Sequence, residues 1–126
     1  MEETIKILLV CDDPLVKTLI KQTLNYSDTG VTIEEARSGT LGLEALRLQD
    51  FGCIILDYFA PDPNGMTMLQ EAAKMGVNAP IIVMTGDESQ VIQIMKAGAT
   101  DCIPKDKLSE NLVHSVLNAI RMRKAE

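Results

Sequence analysis

The sequence predicts an α/β fold, a parallel β-sheet covered by helices on both faces. Strand-like and helix-like segments alternate five times along the 126 residues, and this alternation favours parallel strands joined by right-handed helical crossovers. Several of the strand-like segments are nearly unbroken apolar runs, which is typical of strands buried on both faces. We therefore expect residues 1–126 to form a single domain with a three-layer, doubly wound (βα)5 architecture.

The predicted strands are short runs of apolar and β-branched residues bounded by turn residues. They are residues 5–10, 31–36, 51–57, 80–85 and 101–104. The first (IKILLV), third (FGCIILD) and fourth (PIIVMT) are mostly apolar and suit buried positions. The second (VTIEEA) is more polar and suits an edge of the sheet, and the fifth (DCIP) is short because Pro104 marks its end or an edge.

The predicted helices carry apolar residues at intervals of three and four positions. They cover residues 14–25, 41–48, 66–75 and 89–97, and a last helix after Ser109 carries Leu112, Val113, Val116, Leu117 and Ile120 on one face. Asp13 and Ser109 are expected to be N-caps, with Pro14 as the first residue of the first helix. Gly76 and Gly98 are expected to close the third and fourth helices.

Composition argues against several classes of protein. A formal charge of −6 disfavours direct binding to nucleic acids or anionic membranes, which need clustered Lys and Arg. The first four residues, MEET, are acidic where a signal peptide would be basic, and no apolar run is long enough to span a membrane. We therefore expect a cytoplasmic protein.

The three cysteines, Cys11, Cys53 and Cys102, show no CxxC spacing and leave an odd one over. This pattern suits a reducing compartment better than a disulfide framework. Each is expected to be a small core residue. The two aspartates after Cys11 are expected to disfavour its thiolate.

Polar side chains follow the predicted strands where each strand ends. They are Asp12 and Asp13 after the first strand, Asp57 ending the third, Thr85 ending the fourth and Lys105 after the fifth. Because the carboxyl ends of parallel strands share one edge, where ligands bind, these side chains should converge. Three crowded carboxylates call for a hard divalent cation, and Mg²⁺ together with Lys105 balances their charge.

Such a site suits phosphoryl transfer to Asp57, with the carboxylate as the nucleophile. The metal and Lys105 would neutralise the phosphoryl oxygens, and the Thr85 hydroxyl could donate to one of them. Each residue alone has a simpler interpretation: Asp13 as a helix cap, Thr85 as a strand end and Lys105 as a surface charge. These interpretations do not explain why all of them fall at one edge of the sheet.

The chain resembles the receiver domains of response regulators, the phosphoacceptor modules of two-component signalling, over essentially all 126 residues. The matching motifs are CDDP, ILDYFAPDPNG of the form D-x-x-x-P-x-x-[DN]-G, MTG and GATDCIPK. The resemblance implies a flavodoxin-like sheet in the order 2-1-3-4-5. It also implies phosphorylation by a histidine kinase or a histidine phosphotransfer protein, in a domain that is not a turnover enzyme.

The resemblance also implies roles for individual residues. Mg²⁺ would bind Asp13, Asp57 and the backbone carbonyl of Phe59, with Asp12 reaching the metal through water. Thr85 and Lys105 would contact the phosphoryl group. Phosphorylation would change the surface formed by the fourth helix, the fifth strand and the fifth helix, and so control an output domain or partner.

The chain departs from the family pattern at two positions. Many receivers carry Tyr or Phe three residues before the lysine, as a switch coupled to the threonine, and this position is Cys102 here. Many also place a proline after the lysine in a cis peptide, whereas Asp106 follows here. Chemistry at Asp57 should survive both changes. The conformational change on phosphorylation should be smaller or differently located.

Two other functions stay open at this point. One is an interaction module that keeps the receiver fold and signals without phosphate, supported by Cys102 and the missing proline. The other is a flavodoxin-like cofactor binder, which ranks far lower because Asp12 and Asp13 would repel a cofactor phosphate where that fold needs a phosphate-binding loop.

Overall fold

The computed structural model describes residues 5–26 and 30–124, with the backbone alone for residues 26 and 122–124. The acidic residues 1–4, on which the expectation about a signal peptide rests, lie outside this part of the chain. The strands are β1 (Ile5–Val10), β2 (Val31–Ala36), β3 (Cys53–Asp57), β4 (Ile81–Thr85) and β5 (Asp101–Pro104). The helices are α1 (Pro14–Tyr26), α2 (Gly39–Leu48), α3 (Gly65–Lys74), α4 (Val91–Lys96) and α5 (Leu108–Lys124).

The strands form one parallel sheet in the order β2-β1-β3-β4-β5. This confirms the flavodoxin-like order that the family resemblance implied, and it places the polar strand β2 at an edge as predicted. The chain leaves β1 towards one side of the sheet and returns through β3 on the other. The carboxyl ends of β1 and β3 therefore form the crevice in which such sheets bind ligands.

Alternate residues of β1 pack on opposite faces of the sheet. Ile7 and Leu9 belong to an apolar cluster with residues of α1 and α5, whereas Leu8 and Val10 belong to a second cluster with residues of α2, α3 and α4. All four side chains are fully buried. A central strand covered on both faces produces this pattern, and the predicted three-layer arrangement is confirmed.

The start of α5 differs from the prediction. Ser109 was expected to be the N-cap, but the helix begins at Leu108, directly after a 3₁₀ turn over Lys105–Lys107. Leu108 is buried in the apolar cluster beneath α5. Its burial places the start of the helix one residue earlier, so that Ser109 lies exposed in the first turn.

The fourth helix is shorter than predicted. A 3₁₀ turn occupies Glu88–Gln90, and α4 follows as Val91–Lys96. Asp87 caps the turn, since its carboxylate accepts a hydrogen bond from the Ser89 N–H at 3.0 Å. At the other end Gly98 has a φ of 113° and closes the helix as predicted.

The remaining boundaries agree with the predictions within two residues. The third strand begins at Cys53 rather than at residue 51, because its pairing with β1 starts at Cys53, opposite Ile7. Gly76, with a φ of 74°, closes α3 as predicted. Among the helices of the described residues, none combines the length and apolar character needed to cross a bilayer.

Candidate functional site

The candidate site lies at the carboxyl edge of the sheet, beside the central strands. Val10 of β1 lies opposite Leu56 of β3 in the strand register. The residues that follow, Cys11 and Asp57, are therefore neighbours on the same face of the sheet. The Cys11 N–H donates to the carbonyl of Ala36, the last residue of β2, at 3.0 Å. The hydrogen bonding between β1 and β2 therefore continues one residue beyond β1.

The Asp57 carboxylate is nearly buried, accepts a hydrogen bond from a backbone N–H and forms an ion pair with a lysine. The residue is 4% exposed. Its Oδ1 accepts the Phe59 N–H at 3.0 Å, and the Lys105 Nζ lies 3.1 Å from both Oδ1 and Oδ2. Burying a lone carboxylate is costly. The ammonium that arrives from the end of β5 offsets this cost by neutralising the charge.

Cys11 contributes a third polar contact to the same carboxylate. Its Sγ lies 3.6 Å from Asp57 Oδ2 and 3.8 Å from the Asp13 carbonyl. Burial raises the pKa of the Cys11 thiol to about 11, and the Asp57 charge adds to this, while the hydrogen bond to the Asp13 backbone acts in the opposite direction. The expectation of a disfavoured thiolate is confirmed, but its main cause is burial rather than the aspartates that follow.

The acidic pair lies at the start of α1. Asp13 Oδ1 accepts the N–H of Leu15 at 2.9 Å and that of Val16 at 3.4 Å, so Asp13 caps the helix as predicted. A carboxylate at this end also interacts favourably with the helix dipole. Asp12 is exposed to solvent.

The ligand set suits a hard cation, although its side chains are not gathered for one. Asp12, Asp13, Asp57 and the Phe59 carbonyl offer the oxygen ligands that Mg²⁺ prefers. Within residues 5–26 and 30–124, no three His, Cys, Asp or Glu side chains are close enough together to hold a metal ion. The Asp13 carboxylate accepts a hydrogen bond from the first turn of α1, and the Asp57 carboxylate is paired with Lys105. The chemistry of the set fits Mg²⁺, and the ligand assignment stays a prediction.

Thr85 ends β4 at the same edge of the sheet. The residue is fully buried, and its hydroxyl accepts the Asp87 N–H at 3.0 Å and donates to the Asp87 carbonyl at 3.2 Å. A hydroxyl has one proton to donate. Contact with a phosphate oxygen would therefore require the Thr85 hydroxyl to leave the Asp87 carbonyl.

Two aromatic side chains next to Asp57 make contacts that sequence reasoning missed. The Tyr58 hydroxyl donates to Gln90 Oε1 at 3.2 Å, and thereby links the β3–α3 loop to the turn before α4. The Phe59 ring packs edge-on against Tyr58 with centroids 5.3 Å apart, and the Lys105 Nζ lies 5.7 Å from its centroid. No local pattern connects residues so far apart in the chain. An exposed aromatic beside a strand-end carboxylate was the available signal for Phe59.

The loop between β3 and α3 is held by close backbone contacts. The Gly65 N–H donates to the Tyr58 carbonyl at 3.0 Å, and the Asn64 side chain caps α3 by accepting the Thr67 N–H at 3.0 Å. A Cβ on Gly65 would lie 2.6 Å from the Tyr58 Cα. This close approach explains why the motif ends in glycine.

Cys102 occupies the position where many receivers carry an aromatic residue. It lies opposite Val83 in β5 and is half-buried. The expectation that each cysteine is a core residue is therefore confirmed for Cys11 and Cys53, whereas Cys102 is only partly buried at the margin of the cluster beneath α2, α3 and α4. Burial raises the pKa of the Cys102 thiol, and the charge of Asp101 raises it further. A neutral thiol thus takes the place of an aromatic ring.

Curated proteins with similar sequences are regulatory proteins, and several of them are named as response regulators. The C4-dicarboxylate transport transcriptional regulatory protein DctD of Pseudomonas aeruginosa is 30% identical over 123 residues, which cover 94% of this chain and 26% of DctD. The nitrate/nitrite response regulator protein NarL of Escherichia coli is 28% identical over 120 residues, covering 94% of this chain and 56% of NarL. The chain thus spans about a quarter of the first relative and little more than half of the second.

A solved structure of a response regulator receiver domain protein from Clostridium thermocellum has the same fold. It superposes with a TM-score of 0.84 at 29% identity, and the match covers 96% of this chain and 98% of that chain. Residues 7–117 match the response regulator receiver domain family. The chain therefore belongs to the receiver domains of two-component signal transduction.

Proposed function

We propose that this receiver domain accepts a phosphoryl group on Asp57 from a phosphohistidine of a histidine kinase or a histidine phosphotransfer protein. The observation that supports the proposal most directly is the Asp57 carboxylate, which ends a central strand, is 4% exposed and has the Lys105 ammonium 3.1 Å from each oxygen. A strand-end carboxylate paired with a cation is a suitable acceptor for a phosphoryl group. Membership of a two-component receiver family supports a histidine kinase as the partner.

In the proposed reaction an Asp57 oxygen attacks the phosphorus and the P–N bond of the donor breaks. The electron pair of that bond stays on the imidazole nitrogen, and the product is an acyl phosphate. Lys105 would then turn its charge to the phosphoryl oxygens. The Thr85 hydroxyl would leave the Asp87 carbonyl and donate to the same group.

Mg²⁺, the cation that the family typically uses, would be held by Asp12, Asp13, Asp57 and the Phe59 carbonyl and would neutralise charge on the phosphoryl oxygens. Without that charge, Asp12 and Asp13 would repel an incoming phosphate dianion. We therefore expect phosphorylation to depend on the metal.

The proposed output is a change in the surface formed by α4, β5 and α5, which would control an output domain or partner protein. Release of Asp87 by Thr85 would act on the turn that leads into α4. This helix exposes two apolar side chains, Ile92 at 68% and Met95 at 41%. Exposed apolar side chains of this kind are suitable for contact with another protein surface.

The proposal is tested by incubating the protein with Mg²⁺ and a small acyl phosphate and measuring its intact mass. The wild type is expected to gain one phosphoryl group and Asp57→Asn none. Asp106→Asn, which changes an exposed carboxylate beside Lys105, is the matched control and should gain the group as the wild type does. Chelation of Mg²⁺ should abolish the gain. No mass addition in the wild type, or an equal addition in Asp57→Asn, would contradict the proposal.

A second candidate function is interaction without phosphate, which the absence of an aromatic side chain at Cys102 favours. Under this alternative the receiver fold presents a constant surface to its partner. Binding to that partner would then be equally tight for the wild type and Asp57→Asn, whether or not an acyl phosphate is added.

A further inference from the structure

The Cys11 thiol contacts the Asp57 carboxylate and has no part in the proposed phosphoryl transfer. Its Sγ lies 3.6 Å from Asp57 Oδ2, within the range of an S–H···O hydrogen bond. The contact follows from the strand register, which places these two residues side by side. The residue is fully buried, so the thiol approaches the carboxylate from the core side.

The thiol has one proton and two acceptors within reach. Asp57 Oδ2 is the nearer, and it is charged, whereas the Asp13 carbonyl at 3.8 Å is neutral. Hydrogen bonds to charged acceptors are the stronger ones. The Asp57 carboxylate is therefore the preferred partner while it carries its full charge.

Cys11 and Lys105 contact the Asp57 carboxylate from different sides. The Lys105 side chain is 28% exposed and is free to turn towards a phosphoryl group on the solvent side. The Cys11 thiol is enclosed by the apolar cluster beneath α1 and α5. Because it lies on the core side of Asp57, it can act on the carboxylate but not on a phosphoryl group at the solvent side.

We propose that Cys11 is a positioning residue that shortens the lifetime of phosphorylated Asp57 by donating a hydrogen bond to the carboxylate as it is released. The inference rests on the proposed phosphorylation of Asp57. It adds a residue that regulates how long the phosphorylated state lasts.

Hydrolysis of the acyl phosphate is the step on which the thiol acts. A water oxygen attacks the phosphorus, the bond between phosphorus and the Asp57 oxygen breaks, and its electron pair returns to the carboxylate. The products are the Asp57 carboxylate and dihydrogen phosphate, which keeps both protons of the water. Negative charge develops on both carboxylate oxygens as the bond breaks, so a donor at either oxygen stabilises the transition state.

The expected size of the effect is modest. A single S–H···O contact is a weak hydrogen bond, and its loss should lengthen the lifetime of the phosphorylated protein about two- to fivefold. Cys11→Val removes the donor, puts a methyl group in the place of the thiol and adds one further methyl group. The matched control is Cys53→Val, in the same apolar cluster and about 13 Å from Asp57 along β3 by strand rise.

The test combines the loss of phosphate with infrared spectroscopy of the S–H stretch. The wild type, Cys11→Val and Cys53→Val are phosphorylated with a small acyl phosphate, the donor is removed, and intact mass is followed over time. Only Cys11→Val is expected to keep its phosphate longer than the wild type. The S–H band of Cys11 is identified as the band that is missing from the spectrum of Cys11→Val. In Asp57→Asn this band should move towards the frequency of a free thiol, a shift that a merely structural role of Cys11 would not produce.

The outcomes separate this inference from the proposal on which it rests. Equal lifetimes in Cys11→Val and the wild type, or a Cys11 S–H band that Asp57→Asn leaves in place, would overturn the inference and leave phosphorylation intact. A wild type that takes up no phosphate would overturn the proposed function and the inference with it.

Discussion

The pair formed by Asp57 and Lys105 is the feature on which the chemistry of the site depends. Asp57 is nearly buried and Lys105 is partly exposed, with side-chain exposures of 6% and 28%. Removing one partner of such a pair leaves an uncompensated charge in a poorly solvated place. The surface pair of Lys107 and Glu110, 3.9 Å apart and exposed by 50% and 65%, lacks this vulnerability.

We expect Lys105→Met to lower the free energy of unfolding by about 1 to 3 kcal/mol in metal-free buffer, because it strands the Asp57 carboxylate. Lys107→Met should change it by less than about 0.5 kcal/mol. Chemical denaturation followed by circular dichroism measures both values. In an Asp57→Asn background the cost of Lys105→Met should nearly vanish, and an equal cost in both backgrounds would show that the lysine stabilises the fold by packing alone.

Sequence reasoning at this scale could predict which residues share an edge but not which atoms bond. The predicted ends of the strands placed Asp57, Thr85 and Lys105 at one edge of the sheet, because all parallel strands end at the same edge. The neighbour of Asp57 on the core side, Cys11, depends on the register between two strands that are far apart in the chain. That register is set by packing of the whole sheet, which no local pattern reports.

The start of α3 is the element whose packing holds the loop after Asp57 in place. Gly65 is its first residue, and a Cβ there would lie 2.6 Å from the Tyr58 Cα and 2.7 Å from the Tyr58 carbonyl oxygen. Both atoms belong to the backbone and cannot turn away as a flexible side chain could. Gly86, after β4, has no atom within 4 Å of the same hypothetical Cβ.

Gly65→Ala is therefore expected to destabilise the protein by about 1 to 3 kcal/mol through overpacking, while Gly86→Ala should stay within about 0.5 kcal/mol of the wild type. Denaturation midpoints at constant m-value measure the difference. Similar midpoints for the two variants would mean that the loop yields without cost, against the close contact in the structure.

Helix ends show what local sequence can predict at the scale of elements. Asp13 as a cap and Gly76 and Gly98 as terminators were predictable, since each acts through its own side chain or its own φ. The 3₁₀ turns before α4 and α5 were not, because a single turn is too short to show a period. The early start of α5 is set by the burial of Leu108, which is a tertiary contact.

At the scale of the whole molecule, side-chain hydrogen bonds connect the candidate site to residues 87–90, the segment before α4. The Thr85 hydroxyl is hydrogen-bonded to the backbone of Asp87 at the start of this segment, and the Tyr58 hydroxyl donates to Gln90 at its end. Cys102 takes part in neither of these interactions. Two charge-assisted hydrogen bonds to a phosphoryl group, at about 1.5 to 3 kcal/mol each, come near the roughly 5.5 kcal/mol that a full two-state shift requires.

We expect a phosphoryl mimic such as beryllium fluoride with Mg²⁺ to change amide exchange mainly in residues 86–96. Hydrogen–deuterium exchange with and without the mimic measures this, and Tyr58→Phe, which removes the hydroxyl that bonds Gln90, should reduce the change. A large change in protection centred on β5 and α5 would contradict the prediction. It would mean that Cys102 transmits the signal despite lacking an aromatic ring.

The strict alternation of β1 between the two apolar clusters also limits how the chain length can vary. Inserting one residue into β1 would turn each later side chain of the strand to the opposite face. Cys11 would move away from Asp57, and Val10 would take its place on the face that packs against the apolar cluster beneath α1 and α5. A one-residue insertion in β1 would therefore disrupt the core and the candidate site together.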